Sequence, residues 1–242
     1  MRAPPRRIVL TREESQSRAW REALAAAGAT VLELPLLRYA ALTPPAGVDP
    51  AAFDWILFTS PQGVHAFADT GLSPGGARIG ALGGGTAAVL ADHGWRDGLN
   101  ARCRDGAELA RAFVAAGAAP ARVLLPGPDR RLSEPAAGLR AAGCTVVEWP
   151  LYRTEAIPAG ELPRDPFAEG DLVFFASPSA VGAFAEAYAL RPPCVAIGET
   201  TAAAARAVGF DPLVADAPDL SAMARACGLG SVTDPSFREM PS

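Results

Sequence analysis

A chain of 242 residues, half of them hydrophobic, with 22 basic against 26 acidic side chains and a formal net charge of -4, has room for one large α/β domain or two of about 110 residues each. No apolar run approaches the roughly 20 residues that span a bilayer, and the N-terminal MRAPPRRIVLTRE runs straight into a first strand instead of a signal-peptide core. All 22 basic residues are arginines, which excludes a Walker-type phosphate lysine and a lysine Schiff base; their scatter and the acidic balance argue against a nucleic-acid partner.

In chain order, the apolar run RIVLT (7–11) predicts a strand, and Ser15 to Ala27 a helix closed by Gly28. TVLEL (30–34) is the next strand, followed by the Pro-bounded extended tract LPLLRYAALTPP (34–45). WILFT (55–59) leads into a Ser60-Pro61 turn and a helix start, and RIGAL (78–82) into Gly83-Gly84-Gly85-Thr86 and an alanine-rich helix. RVLLP (122–126), a helix from Pro135 to Ala142 closed by Gly143, TVVEW (145–149) and a second Pro-bounded tract, WPLYRTEAIPAG (149–160), follow. DLVFF (171–175) with Ser177-Pro178 and CVAIG (194–198) with Glu199-Thr200-Thr201 complete the series. The last residues, SVTDPSFREMPS (231–242), lack periodicity and are expected to be a disordered tail.

The order is that of an internal repeat. WILFTSPQGVHAF is echoed by LVFFASPSAVGAF, IGALGGGTAAVLADHGW by VAIGETTAAAARAVGF, RIVLTREESQSRAWREALAAAGATVLELPLLRY by RVLLPGPDRRLSEPAAGLRAAGCTVVEWPLYRT, and DGAELARAFVAAG by DAPDLSAMARACG, at offsets of about 111 to 117 residues. Alternating strand and helix with continuous apolar strands implies a parallel sheet covered on both faces in each copy, of flavodoxin-like size. Such sheets bind ligands beyond the carboxyl ends of their strands. Here those places hold Ser60 and Gln62, Gly84 and Thr86, Ser177 and Ser179, and Thr200 and Thr201. Free N–H groups and hydroxyls at helix starts capture anions without formal positive charge. Capping uses the same geometry, so two roles stand open for each of these hydroxyls. Glu199 would satisfy the helix dipole internally and repel a ligand carboxylate unless it points outward.

From Gly83 the letters read GxGxxA, close to a dinucleotide fingerprint. The loop follows a late strand of its copy, its echo IGETTAA lacks the second glycine, and Asp105 lies in the polar stretch RCRDGAE instead of ending a strand. Anion capture and helix capping fit better than a nicotinamide cofactor. Cys103, Cys144, Cys194 and Cys227 are widely spaced with no CxxC pair, and neither His65 nor His93 has a partner at ligand spacing. No metal site and no Ser-His-Asp triad is predicted.

FTSPQGV followed by the Gly-Thr-Ala turn, VEWPLYRT, FFASPSAVGAF and AIGETTAAAA, in that order and spacing, resemble uroporphyrinogen-III synthase over Arg7 to about Gly228. The resemblance implies two flavodoxin-like lobes joined by a two-stranded hinge, a ligand cleft between them and no cofactor. It also implies a discontinuous first lobe (1–36 plus 156–230), a second lobe (42–149) and hinge strands at 37–41 and 150–155, where a plain tandem repeat would be cut near residue 118. The implied reaction closes hydroxymethylbilane, a linear tetrapyrrole, to uroporphyrinogen III with loss of water and inversion of the last pyrrole ring. An enzyme for it must orient a flexible chain and help a hydroxyl leave.

Tyr152 stands in the hinge tract where the family carries a tyrosine facing the cleft, and is the candidate acid. A half-buried tyrosine at a domain junction is the alternative role. Thr11 and Arg12 resemble a family Thr-Arg at the end of the first strand, which implies a contact with a substrate carboxylate; a surface salt bridge is the alternative role. Arg130 and Arg131 follow the VLLPG strand, with Arg131 the candidate substrate contact. A cytoplasmic monomer is expected. The competing readings are a non-catalytic tetrapyrrole-binding or regulatory protein with the same cleft and, from GxGxxA, a dinucleotide-dependent oxidoreductase.

Overall fold

A computed structural model describes residues 7–99, 103–230 and 232. The segment expected to be a disordered tail lies outside the described residues except for Val232. The strands are β1 (Arg7–Leu10), β2 (Thr30–Glu33), β3 (Leu37–Ala41), β4 (Trp55–Phe58), β5 (Arg78–Ala81), β6 (Arg122–Pro128), β7 (Thr145–Ala156), β8 (Asp171–Phe175), β9 (Cys194–Ala196) and β10 (Pro212–Val214). The helices are α1 (Glu14–Ala26), α2 (Pro61–Asp69), α3 (Gly83–Asp92), α4 (Gly106–Ala115), α5 (Ala136–Ala141), α6 (Pro178–Ala187), α7 (Glu199–Ala207) and α8 (Leu220–Ala226). Among the described residues no helix is long and apolar enough to cross a membrane.

The chain divides into two units, Met1–Tyr39 with Thr154–Ser242, and Ala40–Arg153. The first holds a sheet of order β10-β9-β8-β1-β2 whose pairs are all parallel. Renumbered within the unit, this is the doubly wound order 2-1-3-4-5. The apolar runs alternate faithfully between its faces. Ile8, Leu10, Leu172 and Phe174 pack with Trp20 and Leu24 of α1 and with Leu220 and Met223 of α8. Val9, Val173 and Phe175 pack on the other side with Val181, Phe184 and Phe210. Burial of both faces is why these strands carry no polar alternation.

Arg7 and Asp171 face each other in register across β1 and β8. The guanidinium donates from Nε to Oδ1 at 3.0 Å and from Nη2 to Oδ2 at 2.7 Å, and the Ala168 N–H donates to Oδ2 at 2.9 Å. This pair joins the two sequence-distant halves of the unit.

The second unit holds a sheet of order β3-β7-β6-β4-β5, parallel from β5 through β7. The Leu42 N–H donates to the Leu151 carbonyl at 2.8 Å, placing β3 at the edge beside β7. One face packs Trp55, Leu57, Val123 and Leu125 with Phe113 of α4 and Leu139 of α5. On α2, Phe67 meets Phe58 edge-on at 5.5 Å and Trp149 at 6.0 Å.

The predicted helix ends hold. Gly28 and Gly143 take positive φ, 85° and 83°, and the following Ala29 and Cys144 N–H groups reach back to the Leu24 and Leu139 carbonyls at 3.0 and 3.1 Å. This closure needs the left-handed region that glycine enters without strain. All four cysteines are free thiols. Burial, with the Asp211 charge added, pushes the Cys194 thiol up to about 12. Alkylation of native protein near pH 8 should therefore leave Cys194 unmodified and unfolding should expose it, as peptide mass mapping would read.

Candidate functional site

In a doubly wound sheet the ligand crevice forms where neighbouring strands send their helices in opposite directions. In the second unit that point lies between β4 and β6. Ser60 stands just past β4 with extended dihedrals (φ -158°, ψ 153°), accepts the Gly63 N–H in its side chain and is followed by Pro61 at the first helical position. Proline suits that position because its missing N–H is one that the helix leaves unpaired anyway. Gly63 packs against the end of β6, where an added Cβ would lie 3.4 Å from the Pro126 carbonyl oxygen.

Tyr152 reaches the same place from β7. The β6–β7 pairing runs in step to Gly127↔Pro150, then slips so that Pro128 pairs with Tyr152. A bulge adds one residue to one strand and re-aims the side chains beyond it; Leu151 and Tyr152 are accordingly both buried. The phenol is 5% exposed and its oxygen lies 3.2 Å from Ser60 Oγ. Burial raises its pKa above the ordinary tyrosine value, against the opposing pull of the Ser60 hydrogen bond and the Arg131 charge. The phenol is therefore neutral and protonated at physiological pH.

Arg131 braces this bulge from within the unit. Its guanidinium donates from Nη1 to the Leu125 carbonyl at 3.0 Å and from Nε and Nη2 to the Pro128 carbonyl at 3.1 and 2.7 Å. Nε also lies 3.6 Å from Glu148 Oε2. A Cβ on Gly127 would stand 3.4 Å from Nη2. Burial pulls the guanidinium's pKa down while Glu148 and Tyr152 hold it up, and an arginine so placed keeps its charge. These bonds turn Arg131 inward. Arg130 beside it is exposed.

In the first unit the corresponding point lies between β1 and β8. Ser177 repeats Ser60 closely: φ -160°, ψ 154°, a side chain accepting the Ala180 N–H, and Pro178 at the first helical position. The Thr11 side chain is fully buried and donates to the Phe174 carbonyl at 2.8 Å, tying β1 to β8. The half-buried Arg12 lays its guanidinium 4.0 Å from the centre of the Trp20 ring.

The outer helix starts also match in pairs. Neither α3 nor α7 has a side-chain cap. Gly83 opens α3 with φ 76°, beside exposed Gly84 and Gly85. Thr86 and Thr201 are 2% and 3% exposed, so their hydroxyls lie under the helices, while Ser179 and Thr200 are exposed and Gln62 half-buried. Glu199 does point outward, to Arg206 at 2.6 Å on the helix surface. Asp105 accepts the Glu108 N–H as the cap of α4, and the GxGxxA turn follows β5, which ends its sheet among the described residues apart from an isolated bridge from Ile79 to Asp97. That is not the central first strand of a dinucleotide fold.

Sequence spacing separates His65 and His93, yet α2 and α3 bring them together. Their places on adjacent, like-oriented helices of one repeat are the available signal. Among the described residues no group of three or more potential metal ligands occurs.

The sequence profile described as uroporphyrinogen-III synthase HemD matches residues 18–225. The solved uroporphyrinogen-III synthetase of Helicobacter pylori is similar at a TM-score of 0.65 and 20% identity, covering 91% of this chain and 97% of that one. A mutant uroporphyrinogen III synthase from the extremely thermophilic bacterium Thermus thermophilus is similar at a TM-score of 0.49 and 20% identity, covering 90% and 96%. No curated protein matches the chain.

Proposed function

The chain belongs to the uroporphyrinogen-III synthase family, and from that premise we propose that Tyr152 is the proton donor of its reaction and that the helix starts hold the substrate's carboxylates. The activity is the family's: a lyase that closes hydroxymethylbilane to uroporphyrinogen III, in tetrapyrrole biosynthesis. The observation that carries the site assignment is the buried contact of the Tyr152 phenol with Ser60 at the carboxyl end of the sheet.

Loss of the substrate's hydroxyl as water requires a proton on the leaving oxygen. A neutral phenol supplies one, and the phenolate left behind is favoured by the Ser60 hydroxyl and the Arg131 charge, the two influences that oppose burial on its pKa. Inversion breaks the last ring's link to its neighbour and remakes it at that ring's unsubstituted α-carbon, whose proton is released, so no net acid is consumed. Ser60, Gln62, Gly84 and Thr86 in one unit, and Ser177, Ser179, Thr200 and Thr201 in the other, present helix starts suited to carboxylates. The side chains of Thr86 and Thr201 are buried, so in this reading their helix starts offer backbone N–H groups to the carboxylates. Thr11 serves by tying two strands, and Arg12 by its charge. Small-molecule substrate, monomeric state and absence of a nucleic-acid partner complete the reading, the last supported by the net charge of -4.

The repeat supplies its own control. Ser60→Ala and Ser177→Ala each remove an equivalent cap, at about 0.5–2 kcal/mol, but only the first removes the hydroxyl that contacts the phenol. Steady-state kinetics should show the larger fall in kcat for Ser60→Ala at matched stability loss. Equal kcat in the two variants would remove Tyr152 and Ser60 from the chemistry.

Arg131 acts as a positioning residue, holding the bulge that aims Tyr152. Arg131→Ala should cost about 1–3 kcal/mol by leaving the Leu125 and Pro128 carbonyls without their donors. It should also raise the Tyr152 pKa further, which ultraviolet titration of the phenol would follow, and lower kcat more than it raises KM.

A further inference from the structure

The chain has two histidines, and the fold sets them side by side on the surface of the second unit. His65 lies within α2 and His93 is the residue that ends α3. His93 Nε2 and His65 Nδ1 are 3.4 Å apart, with ring centroids at 5.5 Å and planes at 69°. The His93 ring is stacked on Trp95 at 5.3 Å, and Trp95 is itself held edge-on by Phe67 at 5.4 Å and stacked against Phe58 at 6.2 Å. One imidazole is thus anchored through an indole to fully buried core rings, and the other rides on the helix that carries Phe67.

Two imidazole nitrogens bound to one tetrahedral ion at about 2.0–2.1 Å each stand about 3.4 Å from one another. The separation of His65 Nδ1 from His93 Nε2 is that distance. Hydrogen-bond geometry between the rings means that the facing nitrogens point toward each other, so turning each lone pair by about 35° from the line between them converges both on one point. We propose that His65 and His93 form a two-histidine surface site for a divalent transition-metal ion of zinc type, clamping α2 to the end of α3. Among the described residues no third carboxylate, thiol or imidazole joins them, so water fills the remaining coordination positions. Binding moves no net charge on the protein when both rings are neutral: the ring that donates shifts its proton to its other nitrogen, leaving two lone pairs for the ion. Neither side chain belongs to the proposed reaction machinery.

Because these are the chain's two histidines, their ring proton and nitrogen signals can be followed by NMR while Zn2+ is added to the full-length protein above neutral pH. Both rings should shift in step and saturate at one ion per chain. In His65→Ala the His93 signal, and in His93→Ala the His65 signal, should require at least the roughly 10- to 100-fold more Zn2+ that loss of even an outer-shell partner costs a metal site. Circular dichroism serves to show that both variants fold, as the exposure of the two side chains leads one to expect. Histidine signals that do not move, that titrate independently, or that respond at the same Zn2+ concentration in the single variants would overturn the site.

Discussion

Replacement of Tyr152 by phenylalanine is expected to lower kcat for uroporphyrinogen III formation about 10- to 100-fold, the lower part of the range for a positioned general acid, with KM and the fold little changed. The ring stays to fill its buried place beside β6, so packing survives. What disappears is the hydroxyl 3.2 Å from Ser60 Oγ, and with it the proton proposed for the leaving oxygen. The effect is modest for a general acid because a phenol is a weak one and because orientation of the linear substrate supplies much of the acceleration. A loss in kcat with KM held is the mark of an interaction made in the transition state. The pH profile gives the same assignment a second reading. With Tyr152 as the proposed acid, the neutral phenol is the active form, and burial raises its pKa against the Ser60 hydrogen bond and the Arg131 charge. Activity should therefore show no loss from this group up to the ordinary tyrosine range near pH 10, and should decline only beyond it. A wild-type profile falling near neutrality in a way that Tyr152→Phe abolishes would contradict the assignment.

The largest stability effect should come from Asp171→Ala. The carboxylate is 1% exposed and fixed by two bonds from Arg7 and one from the Ala168 N–H, whereas the Arg7 side chain keeps 27% exposure. Breaking a fully buried pair costs about 3–5 kcal/mol; partial access of Arg7 to water reduces this to about 2–4 kcal/mol. Burial alone would raise the pKa of Asp171, but the Arg7 hydrogen bond, the Ala168 N–H and the Arg7 charge together hold it below the usual carboxylate range. The sign follows from that depression. The pair's contribution is fully present above the unfolded aspartate value near 3.9 and is lost as pH falls through the lower folded value. Urea denaturation of wild type and Asp171→Ala should give curves separated at neutral pH and converging in acid. A gap that stays constant to strongly acid pH would show that packing, not charge, is what the substitution removes.

What can be read from the sequence follows the physics that is local. The Ser-Pro helix starts at 60–61 and 177–178 and the glycine closures at 28 and 143 are set by the residues themselves, and the structure reproduces them with nearly identical dihedrals. The apolar strands are equally plain because burial on both faces leaves nothing polar to confuse the pattern. β10 is not legible: three residues, Pro212–Val214, led by a proline and placed at a sheet edge, carry too little pattern to be distinguished from loop. The inward turn of Arg131 is hidden for another reason. It depends on the slip between Gly127 and Pro128, which exists only once β6 and β7 are paired. The burial of the Thr86 and Thr201 hydroxyls is likewise a matter of helix phase against the sheet, whereas their positions at helix starts are visible in the repeat. The histidine pair joins residues 28 apart, beyond any spacing rule for ligands on one helix.

The most direct test of the central claim feeds the full-length protein with hydroxymethylbilane made in situ by a deaminase, oxidises the products and resolves them by isomer. Left alone the substrate closes to the type I isomer. Predominantly type III product is expected from the wild-type chain. Type I alone, as in a reaction without the protein, would contradict it and leave a tetrapyrrole-binding protein that does not catalyse.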